Sequence, residues 1–331
     1  MTTSTSRRRF LQVSLGCLAG SAAPLQLSGA APAPWFTTSR NALGSRVTIK
    51  VSHESEAQAR RALQRTFDAI EQIEGIMSIY RQDSELSKLN RTKSLENPSP
   101  QLVDILRLAR TISRRSQGAF DVSVQPLWEL FRKADSEGRL PTRAAIESAR
   151  SRVNWRTIKI DNQRITLAPD SQLTLNGIAQ GYATDLALNT LKTHGIEHAL
   201  IDCGELGTLG SNPDQSPWRV GVQHPREKDS LVGVTELNTR CLATSGDYET
   251  HFSSDYRHHH IFDPRSGISP TELASASVVA PTAALADALS TTLLVLGAKQ
   301  GIALAKTFPK VDAMLITKSG EQITTTNFPL I

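Results

Sequence analysis

Between Ser55 and Ser78 the apolar positions fall at Ala59, Leu63, Phe67, Ile70, Ile73 and Met77, the spacing of one face of a helix. The same period predicts helices over Gln101–Ser116, stopped by Gly118, over Thr142–Ala149 behind a threonine cap, over Ile178–His194 and over Thr282–Leu296. Arg46–Val51 alternates with the strand period instead. Short strands are predicted at Trp155–Ile160, Arg164–Leu167 and Gln172–Leu175, separated by Asp-Asn and Pro-Asp turns. Further strands follow at Ala199–Ile201, Arg219–Val222, Gly233–Leu237, Ala243–Ser245, Ser275–Ala280, Ala313–Thr317 and Gln322–Thr325. Asn90–Pro100 reads as polar and turn-rich, and Gly204, Gly207 and Gly210 as a glycine-rich loop. Helices and strands interleave without strict alternation, so the pattern favours an α+β fold over a doubly wound sheet.

The first thirty residues are of another kind. Ser6 to Gln12 read S-R-R-R-F-L-Q, which resembles a twin-arginine export signal. A weakly apolar stretch follows from Phe10 to Leu27, broken by Gln12, Pro24 and Gln26 and so unsuited to a stable membrane span. Gly29, Ala30 and Ala31 supply the small residues of a cleavage site. The expected organisation is a signal over 1–31, a flexible lead-in over 32–42 and the working domain over 43–331. The mature chain is then expected in the periplasm, free or associated with the inner membrane. Cys17 is a weak lipidation candidate because Ser14 stands where leucine is wanted.

Composition narrows the function. The 331 residues are 39% apolar and 21% charged, an ordinary globular balance. The net charge of +5 owes much to Arg7, Arg8 and Arg9, since no acidic residue precedes Glu54. Without those three, 34 basic residues face 32 acidic ones, which gives no support for nucleic-acid binding. Cys203 and Cys241, the two cysteines left after the signal, read as buried thiols rather than a disulfide.

Five segments place polar or small residues where a purely structural segment would not need them. Asp287 and Thr291 stand four apart, so a carboxylate and a hydroxyl share one face of an otherwise apolar helix. Hard oxygen ligands in such a setting suit Mg²⁺. Gly177 to Gly181 leads from a strand into a helix but lacks the G-x-G-x-x-G spacing of a dinucleotide site. His258, His259 and His260 precede an Asp-Pro-Arg-Ser-Gly turn. Neighbours on an extended strand alternate sides, so the three cannot share one metal, and a histidine there is a candidate acid or base.

The segments together resemble the ApbE family of FAD:protein FMN transferases over residues 40–320. The resemblance is carried by M-S-x-Y-R-x-D-S-E-L at 77–86, G-x-F-D-V-S-V at 118–124 and G-I-A-x-G-Y-A-x-D at 177–185. It continues in A-T-S-G-D-Y at 243–248, H-I-x-D-P-R-S-G at 260–267 and V-x-A-P-T-A-x-x-A-D-A-x-S-T at 278–291. It implies a bilobal fold with mixed or antiparallel sheets flanked by helices, and FAD as co-substrate in a cleft. Tyr80, Ala119, Phe120, Asp121, Thr174, Gln180, Thr244 and Ser245 would line the FAD site. Gly177 through its carbonyl, Asp287 and Thr291 would hold Mg²⁺, and His260, or second His259, would assist proton removal. The implied partner is the FMN-binding domain of a membrane redox protein of NosR, NqrC or RnfG type, flavinylated on threonine or serine as AMP leaves. Rival readings are a periplasmic FAD-binding protein and an FAD pyrophosphatase. The chain departs from the family's usual residues at Leu43, Thr174 and Gln180, where methionine, aspartate and lysine are common.

Overall fold

The computed structural model describes residues 33–331 apart from Pro213, so the expected signal over 1–31 and Cys17 lie outside the described residues. The elements in chain order are β1 (Trp35–Ala42), β2 (Ser45–Ser52), α1 (Glu56–Met77), α2 (Glu85–Thr92), β3 (Ser94–Glu96), α3 (Pro100–Arg115), α4 (Gln125–Ser136) and α5 (Arg143–Arg150). Then come β4 (Lys159–Ile160), β5 (Arg164–Thr166), α6 (Ala179–Thr193), β6 (His198–Asp202), β7 (Leu206–Leu209), β8 (Trp218–Gln223) and β9 (Leu231–Leu237). The chain closes with β10 (Cys241–Gly246), β11 (Leu273–Ala280), α7 (Ala283–Ala305), β12 (Asp312–Thr317) and β13 (Gln322–Thr324).

Eight strands form one antiparallel sheet in the order β1-β2-β6-β7-β10-β11-β12-β13. Helices cover one face: Ala276, Val278, Ala313 and Leu315 join α3, α6 and α7 in the largest core. Leu242, Val279 and Met314 point the other way, into a second core closed by Trp218, Val220 and Leu237 of the β8–β9 hairpin. Covered on both faces, β11 is buried at every position and reads as a continuous run rather than an alternation. A smaller unit of α4 and α5 has its own core of Leu127, Phe131 and Ala149, into which Phe262 inserts. The α+β expectation therefore holds, with antiparallel pairing throughout.

Three expectations change. The supposed lead-in carries β1, which pairs residue for residue with β2 across a Leu43–Gly44 turn where both φ angles are positive. Its side chains are exposed or half-buried on both faces, so no period-two signal marks it. The presumed glycine loop contains β7, and Gly207 lies there because a Cβ would stand 2.7 Å from Thr184 and 2.8 Å from Leu188 of α6. Trp155–Thr157 is a 3₁₀ turn that leaves only Lys159–Ile160 as strand, and Gln172–Leu175 is extended chain outside any ladder. The helices α2 and α4, absent from the periodicity reading, are short.

Helix α7 is longer than its predicted span. It breaks at Gly297, whose φ of 75° and the Glu272 carboxylate beside it exclude a side chain. Glu272 then accepts from Ala298 N at 3.0 Å and caps the second half. Among the described residues α7 alone is long and apolar enough to cross a bilayer, yet most of its apolar stretch is buried inside the fold.

Candidate active site at the crossing of α6 and α7

Two helices meet here with almost no space between their backbones. A Cβ on Gly181 would lie 2.3 Å from the Ala283 carbonyl oxygen, so only glycine permits the approach. Asp185, one turn further along α6, accepts from Ala283 N at 2.7 Å and Ala284 N at 2.9 Å, and so caps α7. Burial pushes the Asp185 carboxyl up to about 6 despite these two donors. Asp287 closes the crossing from the other side, accepting from Gly181 N at 3.0 Å while only 4% exposed.

One turn beyond Asp287, Thr291 Oγ1 lies 3.0 Å from Ser245 Oγ of β10. Ser245 Oγ also meets Ser290 Oγ at 2.7 Å. Gly177, at the start of the turn into α6, places its Cβ position 3.1 Å from Thr291 Oγ1 and 3.6 Å from the Phe120 ring. The structure therefore gathers Phe120, Gly177, Ser245, Asp287 and Thr291 into one locus. Ser290 was missed in the sequence because it sits on the buried side of α7, where it reads as a core position.

The remaining expected residues sit around this locus with roles of their own. Thr174 is tied to the 118–124 segment through its N–H to the Val122 carbonyl, and its hydroxyl accepts from Asn176 N. Ala119 is buried, and the Asp121 carboxylate accepts from Ser123 N, Ser123 Oγ and Trp155 N. Burial raises that carboxyl above its ordinary range. Gln180 rests against Gly204 of the β6–β7 turn, and Thr244 Oγ1 bonds Ser277 Oγ across the ladder. Tyr80 projects from the turn after α1, 66% exposed, with Ser78 Oγ accepting from its N–H.

The histidines belong to a separate hairpin. His259 pairs with His251 as an isolated bridge, Phe252 N donates to the His258 carbonyl, and His260 N donates to the Thr250 carbonyl. His259 is fully buried; its Nε2 donates to the Pro270 carbonyl and its Nδ1 accepts from Ile261 N. Burial brings its pKa down to about 4, so at neutral pH it is an uncharged structural ring. His260 is half-buried and its Nδ1 lies 3.1 Å from the Thr250 carbonyl. A carbonyl can only accept, so the neutral ring carries its hydrogen on Nδ1 and its lone pair on Nε2. Alternation thus separates the neighbours as expected, with His259 inward.

The donor set fits a hard cation. Among the described residues no three histidine, cysteine or acidic side chains converge on a metal position. A cation at this locus would depend on one carboxylate, hydroxyls and a backbone carbonyl, the oxygen-only set that Mg²⁺ shares with phosphate or water. Cys203 and Cys241 are buried thiols, and burial pushes Cys203 up to about 12.

The ApbE family profile matches residues 43–315. A relative from Escherichia coli K12 named FAD:protein FMN transferase is 30% identical over 290 residues, covering 83% of this chain and 81% of its own. A Treponema pallidum protein of the same name is 30% identical over 302 residues, covering 83% and 82%. Among solved structures, an ApbE protein from Thermotoga maritima superposes with a TM-score of 0.81 at 28% identity, over 88% of this chain and 97% of that one. The flavin transferase ApbE of Vibrio cholerae gives 0.79 at 26% identity, over 90% and 99%.

Proposed function

Because the chain belongs to the ApbE family, we propose that it is an FAD:protein FMN transferase that moves FMN from FAD to a threonine or serine hydroxyl of another protein. The observation that carries this reading is the convergence of Asp287, Thr291, Ser245 and Gly177 at a crossing that admits no side chain at Gly181. Asp287 and Thr291, with the Gly177 carbonyl, would hold Mg²⁺, which supplies positive charge to the phosphates as the pyrophosphate bond breaks.

The chain's own groups do the rest. Tyr80 offers an exposed ring on which a flavin can stack. Ser245 Oγ holds the Thr291 hydroxyl and is itself held by Ser290 Oγ, and Phe120 closes one wall beside Gly177. The acceptor hydroxyl forms a new oxygen–phosphorus bond, the bond to the AMP oxygen breaks, and AMP leaves. His260 Nε2 takes the hydroxyl proton; His259 is unsuited because both its ring nitrogens are spent on the backbone. The acceptor is proposed to be the FMN-binding domain of a membrane redox protein of NosR, NqrC or RnfG type. The place of action is proposed to be the periplasm, reached by the twin-arginine route.

The test is incubation of the mature chain with FAD, Mg²⁺ and a purified FMN-binding domain, followed by mass spectrometry of that domain. A gain of one FMN mass is expected. FAD split to FMN and AMP without that gain would replace transferase by pyrophosphatase. A reporter fused to residues 1–42 and followed by cell fractionation tests the export route.

A further inference from the structure

Asp247, the residue after β10, is fully buried, and its carboxylate takes both Arg226 guanidinium nitrogens at 2.7 Å and Lys318 Nζ at 3.2 Å. Arg226 comes from the β8–β9 connection and Lys318 follows β12, so the three are remote in sequence. The same two cations reach the tip of the 250–260 hairpin. Lys318 Nζ donates to the Tyr256 carbonyl at 2.5 Å, and the Arg226 guanidinium sits 4.4 Å from the Tyr256 ring centre. On the hairpin's other side Phe252 and Phe262 lie against Phe131, at 5.6 and 4.7 Å between ring centres.

For stability alone this arrangement is an expensive choice. Taking a carboxylate and two cations largely out of water is unfavourable, and well-packed apolar residues in their place commonly serve stability as well or better. What a bidentate pair adds is direction. Here one cluster fixes Asp247 at the base of the hairpin and Tyr256 at its tip. Between them lies Thr250, whose carbonyl receives both His260 N at 2.9 Å and His260 Nδ1 at 3.1 Å.

We propose that Arg226 and Lys318 are positioning residues for His260: by clamping base and tip of the hairpin they hold the Thr250 carbonyl on Nδ1–H and so keep the lone pair on Nε2. The proposal rests on the reading of His260 as the group that takes the acceptor proton. Neither cation touches FAD or the acceptor in this scheme; both act through the hairpin.

The experiment uses the mature chain with ¹⁵N-labelled histidine and reads the His260 tautomer from long-range proton–nitrogen correlations, assigned by loss of the signal in His260→Gln. The wild type is expected to show the Nδ1–H form. The double variant Arg226→Met/Lys318→Met is expected to show a mixture of tautomers. Its kcat for FMN transfer should fall about tenfold, because proton transfer needs the correctly placed lone pair. KM for FAD should stay within about twofold, since no contact to FAD is removed. Arg226→Lys, which keeps the charge but not the fork, should recover part of the loss. A folded double variant with the wild-type tautomer overturns the proposal, whatever its kcat. Should the double variant not fold, Lys318→Met alone leaves Asp247 its bidentate partner and gives the same reading. A wild type that shows the tautomer but transfers no FMN sinks the transferase reading without deciding the clamp, which the variant spectra still decide.

Discussion

The crossing of α6 and α7 and the histidine hairpin are held by opposite means. At the crossing, small residues let two backbones touch, and hydroxyls and two carboxylates, Asp185 and Asp287, bridge the remaining gap. In the hairpin, two long cationic side chains reach across from distant elements to one buried carboxylate and one tyrosine. Close-packed backbone resists displacement through steric contact, which neither salt nor pH alters. An ion-held loop depends on charge instead, and removing one partner leaves a buried charge uncompensated. The end of the site proposed to hold the metal is therefore fixed by backbone contact, and the histidine hairpin by charge.

The sharpest break of this contrast is Asp287→Ala. Cleavage of FAD with Mg²⁺ should fall on the order of 10²–10³-fold, the usual cost of losing a charge-stabilising group at the reacting centre. Release of AMP measures it, and unchanged turnover would remove Asp287 from the site.

The next effect is on the hairpin and concerns pH. The His259 pKa is depressed from 6.5 to about 4, so the folded chain binds fewer protons than the unfolded chain between those values. Its stabilising contribution is complete above about 6.5 and is lost as pH falls towards 4, on the order of 3 kcal/mol in all. Asp185 and Asp202, both raised to about 6, act in the opposite sense and gain stability as pH falls from 6 towards 3.8. Urea unfolding from pH 7 to pH 4 of the wild type against His259→Gln isolates the histidine. The variant keeps a donor for the Pro270 carbonyl and should lose the acid slope that the histidine adds.

Gly181→Ala turns back to the crossing. The added methyl must push Ala283 away, at about 2–3 kcal/mol of stability as an overpacked contact. The urea midpoint at pH 7 should fall by a matching amount. Smallest is Ser290→Ala. It removes one of the two partners of Ser245 Oγ while Thr291 remains, and should cost about 1 kcal/mol in thermal unfolding.

The same contrast explains what could be read from the chain alone. The stripe from Ala59 to Met77 foretold α1 almost to its ends, and the Asp287/Thr291 spacing put both side chains on one face of α7, where the structure brings them beside α6 and β10. Helical sites are local in sequence, so their geometry shows in short patterns. Arg226, Asp247 and Lys318 span three connections between strands, and no local pattern joins them. Gly207 was taken for a turn because a glycine demanded by a neighbouring helix looks, in sequence, like any other. Strand β1 escaped notice since neither of its faces is fully covered. Ser290 and Asp185 act through partners 45 and 98 residues away, so their roles, unlike the Asp287/Thr291 spacing, appear only once the chain is folded.

Helix α7 bears on the export proposed for this chain. Threaded through a translocon as an unfolded polymer, its long apolar run would face lipid before any partner, and would be open to partition sideways as a stop-transfer segment. Folded first, most of the same run is buried against the sheet and α6. The proposed passage, which accepts only finished proteins, would avoid that conflict and leave the helix free to be as apolar as its place in the core demands.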